Sequence, residues 1–214
     1  MEPRVGYVVS VSMTLSAIAI NCSLKPSGAA SSTDRLLGEI GQELSKLGIT
    51  MPTIRAVDHD IKPGVTSDEG PGDAWPELRK RILAADILVL GTPIWLGQPS
   101  SVAKRVLERM DAFLSETDDK GRMPSFGKVA IVAVVGNEDG AHHVHAELFQ
   151  ALNDVGFTLA ACAGTYWVGE AMGKKDYMDL ADTPETTGGT TVMAARCAAH
   201  LAGLLNGQAY PGKA

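Results

Sequence analysis

The chain has 214 residues, 45% of them hydrophobic, which is enough for one sizeable core. Its formal net charge of −6 and the absence of any basic run exclude a protein whose main partner is nucleic acid or an anionic membrane, because both demand clustered Lys and Arg. The three cysteines, Cys22, Cys162 and Cys197, stand far apart without the C-x-x-C spacing of a zinc site or the pattern of a disulfide framework, and no run of about 18 uninterrupted apolar residues marks a membrane span.

The opening MEPRVGYVVSVSMTLSAIAI is broken by Ser, Thr and Arg and lacks a secretory cleavage site. A cytoplasmic protein is expected, with residues 1–12 as an N-terminal tail or extension and 13–214 as a single domain. SAIAINC (Ser16 to Cys22) is an apolar run suited to a strand buried on both faces. After a Ser/Gly/Pro-rich loop, Thr33 or Asp34 can cap a helix whose apolar residues Leu36, Ile40, Leu44 and Leu47 share one face, and Gly48 ends it. A second strand is predicted over Thr53–His59, followed by a long exposed and mobile loop, DIKPGVTSDEGPGD. Helix two runs from Trp75 to Ala85 and leads directly into a strand, ADILVLGTP, whose residues Ile87 to Gly91 are uncharged. The loop WLGQP precedes a helix from Ser100 to Ser115, and KVAIVAVVG (Lys128 to Gly136) is another buried strand. Helix four carries Val144, Leu148, Leu152 and Val155, TLAACAG forms a fifth strand, and an Ala-rich helix spans Thr191–Leu205.

Five alternations of continuous apolar strand and helix specify an α/β three-layer sandwich: a parallel sheet covered on both faces. Right-handed crossovers and five strands fit the order 2-1-3-4-5, in which ligands sit where strands one and three diverge. The loops after Cys22, Gly91 and Gly136 are therefore the candidate site.

The first loop, NCSLKPSGAASST, carries hydroxyls on Ser23, Ser27, Ser31, Ser32 and Thr33 and a charge on Lys25, just ahead of a helix N-terminus. Backbone N–H groups and the positive end of the helix dipole favour an anion there. No G-x-x-x-x-G-K-[ST], G-x-G-x-x-G or G-x-S-x-G pattern is present, so an ATPase, a Rossmann dehydrogenase and an α/β-hydrolase lack support. The second loop presents Pro93, Ile94, Trp95 and Leu96, a surface for a flat apolar ligand. The third, VVGNEDGAHHVH, has N–H groups that can hold carbonyl oxygens; His142, His143 and His145 begin a helix and are read as solvated or capping rather than as metal ligands.

Together these loops resemble the NADPH-dependent FMN reductases of the flavodoxin-like superfamily, a group that includes quinone and azo reductases. Ser23, Lys25 and Ser31-Ser32-Thr33 match the family's first-loop pattern. Thr92 through Trp95 match its Thr-Pro-aliphatic-aromatic segment, and Gly97, Ser100, Lys104 and Arg109 match the Gly, Ser, Lys and Arg that come after that segment. Cys22 stands where the family more often has Gly, Lys25 replaces an Arg, and GNEDGAHH is an individual version of the third loop. The resemblance implies a flavodoxin-like fold with FMN as cofactor. Its phosphate would sit with Ser23, Lys25, Ser31, Ser32 and Thr33, and its isoalloxazine against Pro93, Ile94, Trp95, Leu96 and Gly97. Its pyrimidine edge would lie near Gly136, Asn137, Glu138, Asp139 and Gly140, with His142 as a nearby charge. It further implies NADPH or NADH as co-substrate, a small-molecule electron acceptor such as free flavin or a quinone, no obligatory protein acid or base, no metal, and a homodimer or higher homo-oligomer. Tyr166, Trp167, Met172, Lys174, Lys175 and Tyr177 fall on the rim, either as subunit contact or as packing beneath the last helix. The rival readings are an FMN electron carrier of the flavodoxin type without a nicotinamide site, and a flavin-free binding module.

Overall fold

The computed structural model describes residues 14–208 and 210–213, so the expected tail over residues 1–12 lies outside them. Strands β1 (Ala17–Asn21), β2 (Thr53–Arg55), β3 (Ile87–Trp95), β5 (Val129–Gly136) and β6 (Thr158–Val168) pair in parallel in the order β2-β1-β3-β5-β6. A two-residue strand, β4 (Gln98–Pro99), folds back antiparallel on the end of β3. With that hairpin set aside, this is the predicted 2-1-3-4-5 arrangement. Helices α1 (Ser32–Ser45) and α5 (Glu185–Leu205) and helices α2 (Trp75–Ala84), α3 (Ser101–Met110) and α4 (Ala141–Asp154) contribute to two separate cores.

Strand periodicity explains the two cores. Ile18, Ile20, Leu88, Leu90, Val132 and Val134 pack with Trp75, Ile82, Val106, Met110, Val144 and Leu148 from α2, α3 and α4. Ala17, Ala19, Ile87, Val89, Ile131 and Ala133 alternate with them and pack with Leu36, Ile40 and Leu44 of α1 and Ala194, Ala195, Ala198 and Ala202 of α5. Small alanines on the buried stripe of α5 bring its backbone close to the sheet.

Several boundaries differ from the sequence expectation for identifiable reasons. Helix α1 begins at Ser32 because Ser31, not Thr33 or Asp34, is its cap, its hydroxyl accepting the Asp34 N–H at 3.4 Å. Leu47 lies past the helix end and is exposed. Strand β2 stops at Arg55 instead of His59, and a 3₁₀ turn over Ala56–Asp58 carries Asp58 to the backbone N–H of Ser27 in the first loop. Helix α5 starts six residues before Thr191, at Glu185. The expected mobile loop after β2 is fastened: Arg109 of α3, fully buried, pairs with Asp73 at 2.7 Å and donates to the carbonyls of Lys62 and Thr66.

Two further differences shape the site. Strand β3 continues through Trp95, so Pro93, Ile94 and Trp95 belong to the sheet and not to a loop. Strand β6 runs to Val168 because a bulge interrupts its pairing: Leu159 pairs with Ala130 and Gly164 with Val132, leaving residues 160–163 opposite Ile131 alone. Cys162 takes a left-handed φ of 58° in that bulge, and the resumed pairing sets Trp167 beside Val135.

Candidate functional site

A cavity of about 420 Å³ opens at the C-terminal ends of β1, β3 and β5, within the range of about 300–1,000 Å³ usual for small-molecule sites. It lies at the point where the chain order of the strands reverses, as a doubly wound sheet requires.

One wall is the first loop. Ser23, Lys25, Ser31, Ser32 and Thr33 all line the cavity. The N–H groups of Ser32 and Thr33 belong to the first turn of α1, where no intrahelical acceptor exists. The loop is tied from behind. Asn21 accepts the Ser23 N–H at 2.8 Å and donates to Asp34, Ser23 accepts the Lys25 N–H at 3.1 Å, and Ser100 at the start of α3 donates to the Cys22 carbonyl at 2.7 Å. Lys25 turns its ammonium onto the Ala30 carbonyl at 3.2 Å. Arg55, only 8% exposed, pairs with Asp34 and donates to the carbonyls of Lys25, Pro26 and Ala29. Cys22 is buried, and burial raises its thiol well above the usual range, so it is a packing residue and not a thiolate.

The second wall is apolar. Pro93, Ile94, Trp95 and Leu96 line it from the β3–β4 hairpin. Leu96 sits at the tip with φ 54° and is 90% exposed, and its N–H is held by the Glu138 carboxylate at 2.8 Å. Val135, Gly136, Asn137 and Glu138 supply the third wall. At Gly136 a Cβ would lie 2.8 Å from Ile94 Cβ, so glycine is what lets the two strand ends meet.

Four residues expected at the cofactor do not line the cavity. Gly97 and Gly140 pack backbone to backbone: a Cβ on Gly140, which has φ 121°, would stand 2.9 Å from Gly97 Cα. Asp139 folds its carboxylate onto the Gly140 N–H at 2.8 Å. His142, on the first turn of α4, faces Tyr166, with Nε2 at 3.1 Å from the phenol oxygen. His143 meets Gln98 at 2.9 Å and Glu147 at 2.9 Å.

Conversely, Leu24, Trp167, Met172, Asp176 and Tyr177 line the cavity, although the sequence pattern either omits them or places them only on the rim. The segment after β6 crosses the cavity because it is bound on both sides. Met172 N–H reaches the Asn137 carbonyl at 3.1 Å, Asn137 donates to Asp176 at 2.5 Å, and Met178 N–H reaches Ser32 Oγ at 3.2 Å. Tyr177, fully buried, lies 5.4 Å from the Trp167 ring and donates to Glu39 at 2.5 Å; burial first, then that carboxylate, raises its phenol well above the ordinary range. The bulge that delivers Trp167 has no periodic signal in the sequence. Arg55, at the end of β2, carries no such signal either.

The donor set fits FMN. One end offers hydroxyls and first-turn N–H groups to a phosphate, and the other offers Pro93, Ile94, Trp95 and Trp167 as flat apolar walls to a ring system. Glu138 and Asn137 set the spacing of those walls by holding the backbone at Leu96 and Met172.

The chain is similar to several known proteins. A relative named 8-demethyl-8-aminoriboflavin-5'-phosphate synthase from Streptomyces davaonensis is 34% identical over 168 residues, 74% of this chain and 65% of that protein. A protein from Mycobacterium bovis named divalent metal cation transporter MntH is 40% identical over 169 residues, 77% of this chain but 25% of that protein. The chain thus spans less than two thirds of either curated relative. Among the described residues no helix is long and apolar enough to cross a membrane. Among solved structures, RosB with bound 8-demethyl-8-formylriboflavin-5'-phosphate superposes with a TM-score of 0.86 at 31% identity, covering 93% of this chain and 83% of that one. The NADH:FMN oxidoreductase EmoB, at 18% identity and a TM-score of 0.60 over 88% of this chain and 89% of that one, shares the fold. With residues 15–172 matched by the family profile, the chain belongs to the NADPH-dependent FMN reductase family and has a flavodoxin-like fold.

Proposed function

We propose that this protein is an FMN-dependent NAD(P)H oxidoreductase that takes a hydride from NADPH or NADH and passes electrons to a small acceptor such as free flavin or a quinone. The observation that carries the reading is the junction of a donor-lined loop with an apolar slot between the β3–β4 hairpin and Trp167 in one cavity. FMN, when bound, supplies hydride and electron transfer at its ring. The protein's residues hold and align. Ser23, Ser31, Ser32 and Thr33 take the phosphate. Pro93 to Leu96 and Trp167 confine the ring and exclude water from its faces, and the third-loop backbone from Gly136 to Glu138 meets its polar edge. Leu24, Trp95, Leu96 and Met172 ring the mouth with exposed apolar surface. A homodimer that covers part of this surface accounts for it, and light scattering of the purified protein tests that.

A second reading is favoured by the likeness to RosB, whose solved structure holds a flavin altered at its 8-position. In that reading the flavin is the substrate. One experiment separates the readings. FMN-loaded protein is mixed anaerobically with NADPH and then NADH, the flavin absorbance is followed, a quinone is added, and the flavin is recovered for mass analysis. Saturable bleaching that the quinone reverses, with flavin of unchanged mass, supports the reductase. A changed flavin mass supports the flavin-modifying enzyme. Bleaching by dithionite but by neither nucleotide supports an electron carrier and sinks the proposal.

A further inference from the structure

Behind the first loop lies a built network of Arg55, Asp34 and Asn21, none of which lines the cavity. Arg55 leaves the end of β2 opposite Asn21 of β1 and is 8% exposed. Its Nη1 donates to three carbonyl oxygens of one loop, those of Lys25 at 3.1 Å, Pro26, and Ala29 at 3.0 Å. Its Nη2 pairs with Asp34, which also accepts from Asn21. Just beyond, Asp58 accepts the Ser27 N–H at 3.0 Å, and the Ser27 hydroxyl, with that bond, holds its carboxyl below the usual range.

The electrostatic consequence concerns an anion. Carbonyl oxygens are the negative ends of peptide dipoles, and Asp34 puts a full negative charge in the first turn of α1, one residue from Thr33. Both would repel a phosphate. One buried guanidinium gathers three such carbonyls and cancels the carboxylate, so the loop meets its ligand with hydroxyl and N–H donors. Because a trans peptide points its C=O and N–H in opposite directions, tying back the Ala29 carbonyl also turns the Ala30 N–H away from Arg55.

We infer that Arg55 is a positioning residue that sets the preference of this chain for the phosphorylated flavin, FMN, over riboflavin. It acts through the loop and not by contact. The inference rests on reading the first loop as a phosphate cradle. The test is a pair of equilibrium titrations, with FMN and with riboflavin, on the wild type, Arg55→Met and Arg55→Lys, with circular dichroism reporting on folding.

The expected result is a wild type that prefers FMN. Arg55→Met weakens FMN binding by about 10- to 100-fold, the scale of lost charged hydrogen bonds, and leaves riboflavin binding unchanged. Arg55→Lys, which can face Asp34 but cannot fork across three carbonyls, falls between them. If Arg55→Met does not fold, Arg55→Lys decides by the same ratio. Equal weakening of both flavins, or an unchanged preference in a folded variant, overturns the role of Arg55 and leaves the cradle intact. A wild type that does not distinguish FMN from riboflavin overturns the cradle, and the inference with it, before any substitution is made.

Discussion

At the scale of single residues, a buried ion pair and a buried histidine outside the cavity carry the clearest consequences. The side chains of Asp73 and Arg109 are both fully buried. Burial alone pushes the Asp73 carboxyl up, but the bond from Arg109 and the N–H groups of Glu69, Trp75 and Lys62 outweigh it and hold the group below the ordinary range. Asp73→Ala strands the guanidinium, and a loss of about 3–5 kcal/mol is expected in urea unfolding. His145 stacks 5.3 Å from Phe149, its Nε2 has no partner among the described residues, and burial above all pushes its pKa down to about 4. It folds neutral. Its unfolded form takes up a proton below about pH 6.5, so stability is full above that value and falls as pH drops toward 4. Urea unfolding at pH 7 and pH 5 is expected to differ by about 2 kcal/mol through this group, and His145→Phe removes that difference. Residue identity makes Ser23, Lys25 and Ser31 to Thr33 legible in the sequence, because a run of hydroxyls with a Lys just ahead of a helix N-terminus is the composition an anion cradle uses. Asp176 and Tyr177 are not legible as cavity residues, because only the tertiary bonds from Asn137 and Ser32 bring their segment there.

At the scale of elements, the site depends on two irregular pieces of strand. The β3–β4 hairpin approaches the third loop glycine to glycine, and Gly140→Ala would drive a Cβ to 2.9 Å from Gly97 Cα at a φ of 121°. We expect a loss of about 1–3 kcal/mol in thermal unfolding, together with weaker FMN binding as the hairpin tip moves. The β6 bulge turns on Cys162 at φ 58°. Cys162→Val, β-branched in the left-handed region, is expected to cost about 1–2 kcal/mol in the same measurement, whereas Cys162→Gly leaves stability equal or higher. Helix and strand existence is readable from apolar periodicity, but the hairpin reads as a loop and the bulge as the end of a strand. Neither has a hydrophobic period of its own; each is defined by the strand it pairs with, β3 for the hairpin and β5 for the bulge.

At the scale of the whole molecule, the parallel order follows from the continuous apolar strands, and the cavity follows from that order, which is why the place of the site is legible even where its residues are not. The cradle comes from the first loop and the slot from the β3–β4 hairpin and Trp167 of β6, all at the C-terminal ends of the strands, so a ligand that bridges them links the two. FMN at about 100 times its dissociation constant is therefore expected to stabilise the fold by about 2.7 kcal/mol, read as a rise in melting temperature. The most direct test is a crystal structure of the protein grown with FMN. The phosphate is expected within hydrogen-bond distance of Ser23 and the Ser32 and Thr33 N–H groups, with the isoalloxazine between the β3–β4 hairpin and Trp167. A flavin bound elsewhere, or turned with its phosphate away from the first loop, would contradict the assignment of cradle and slot.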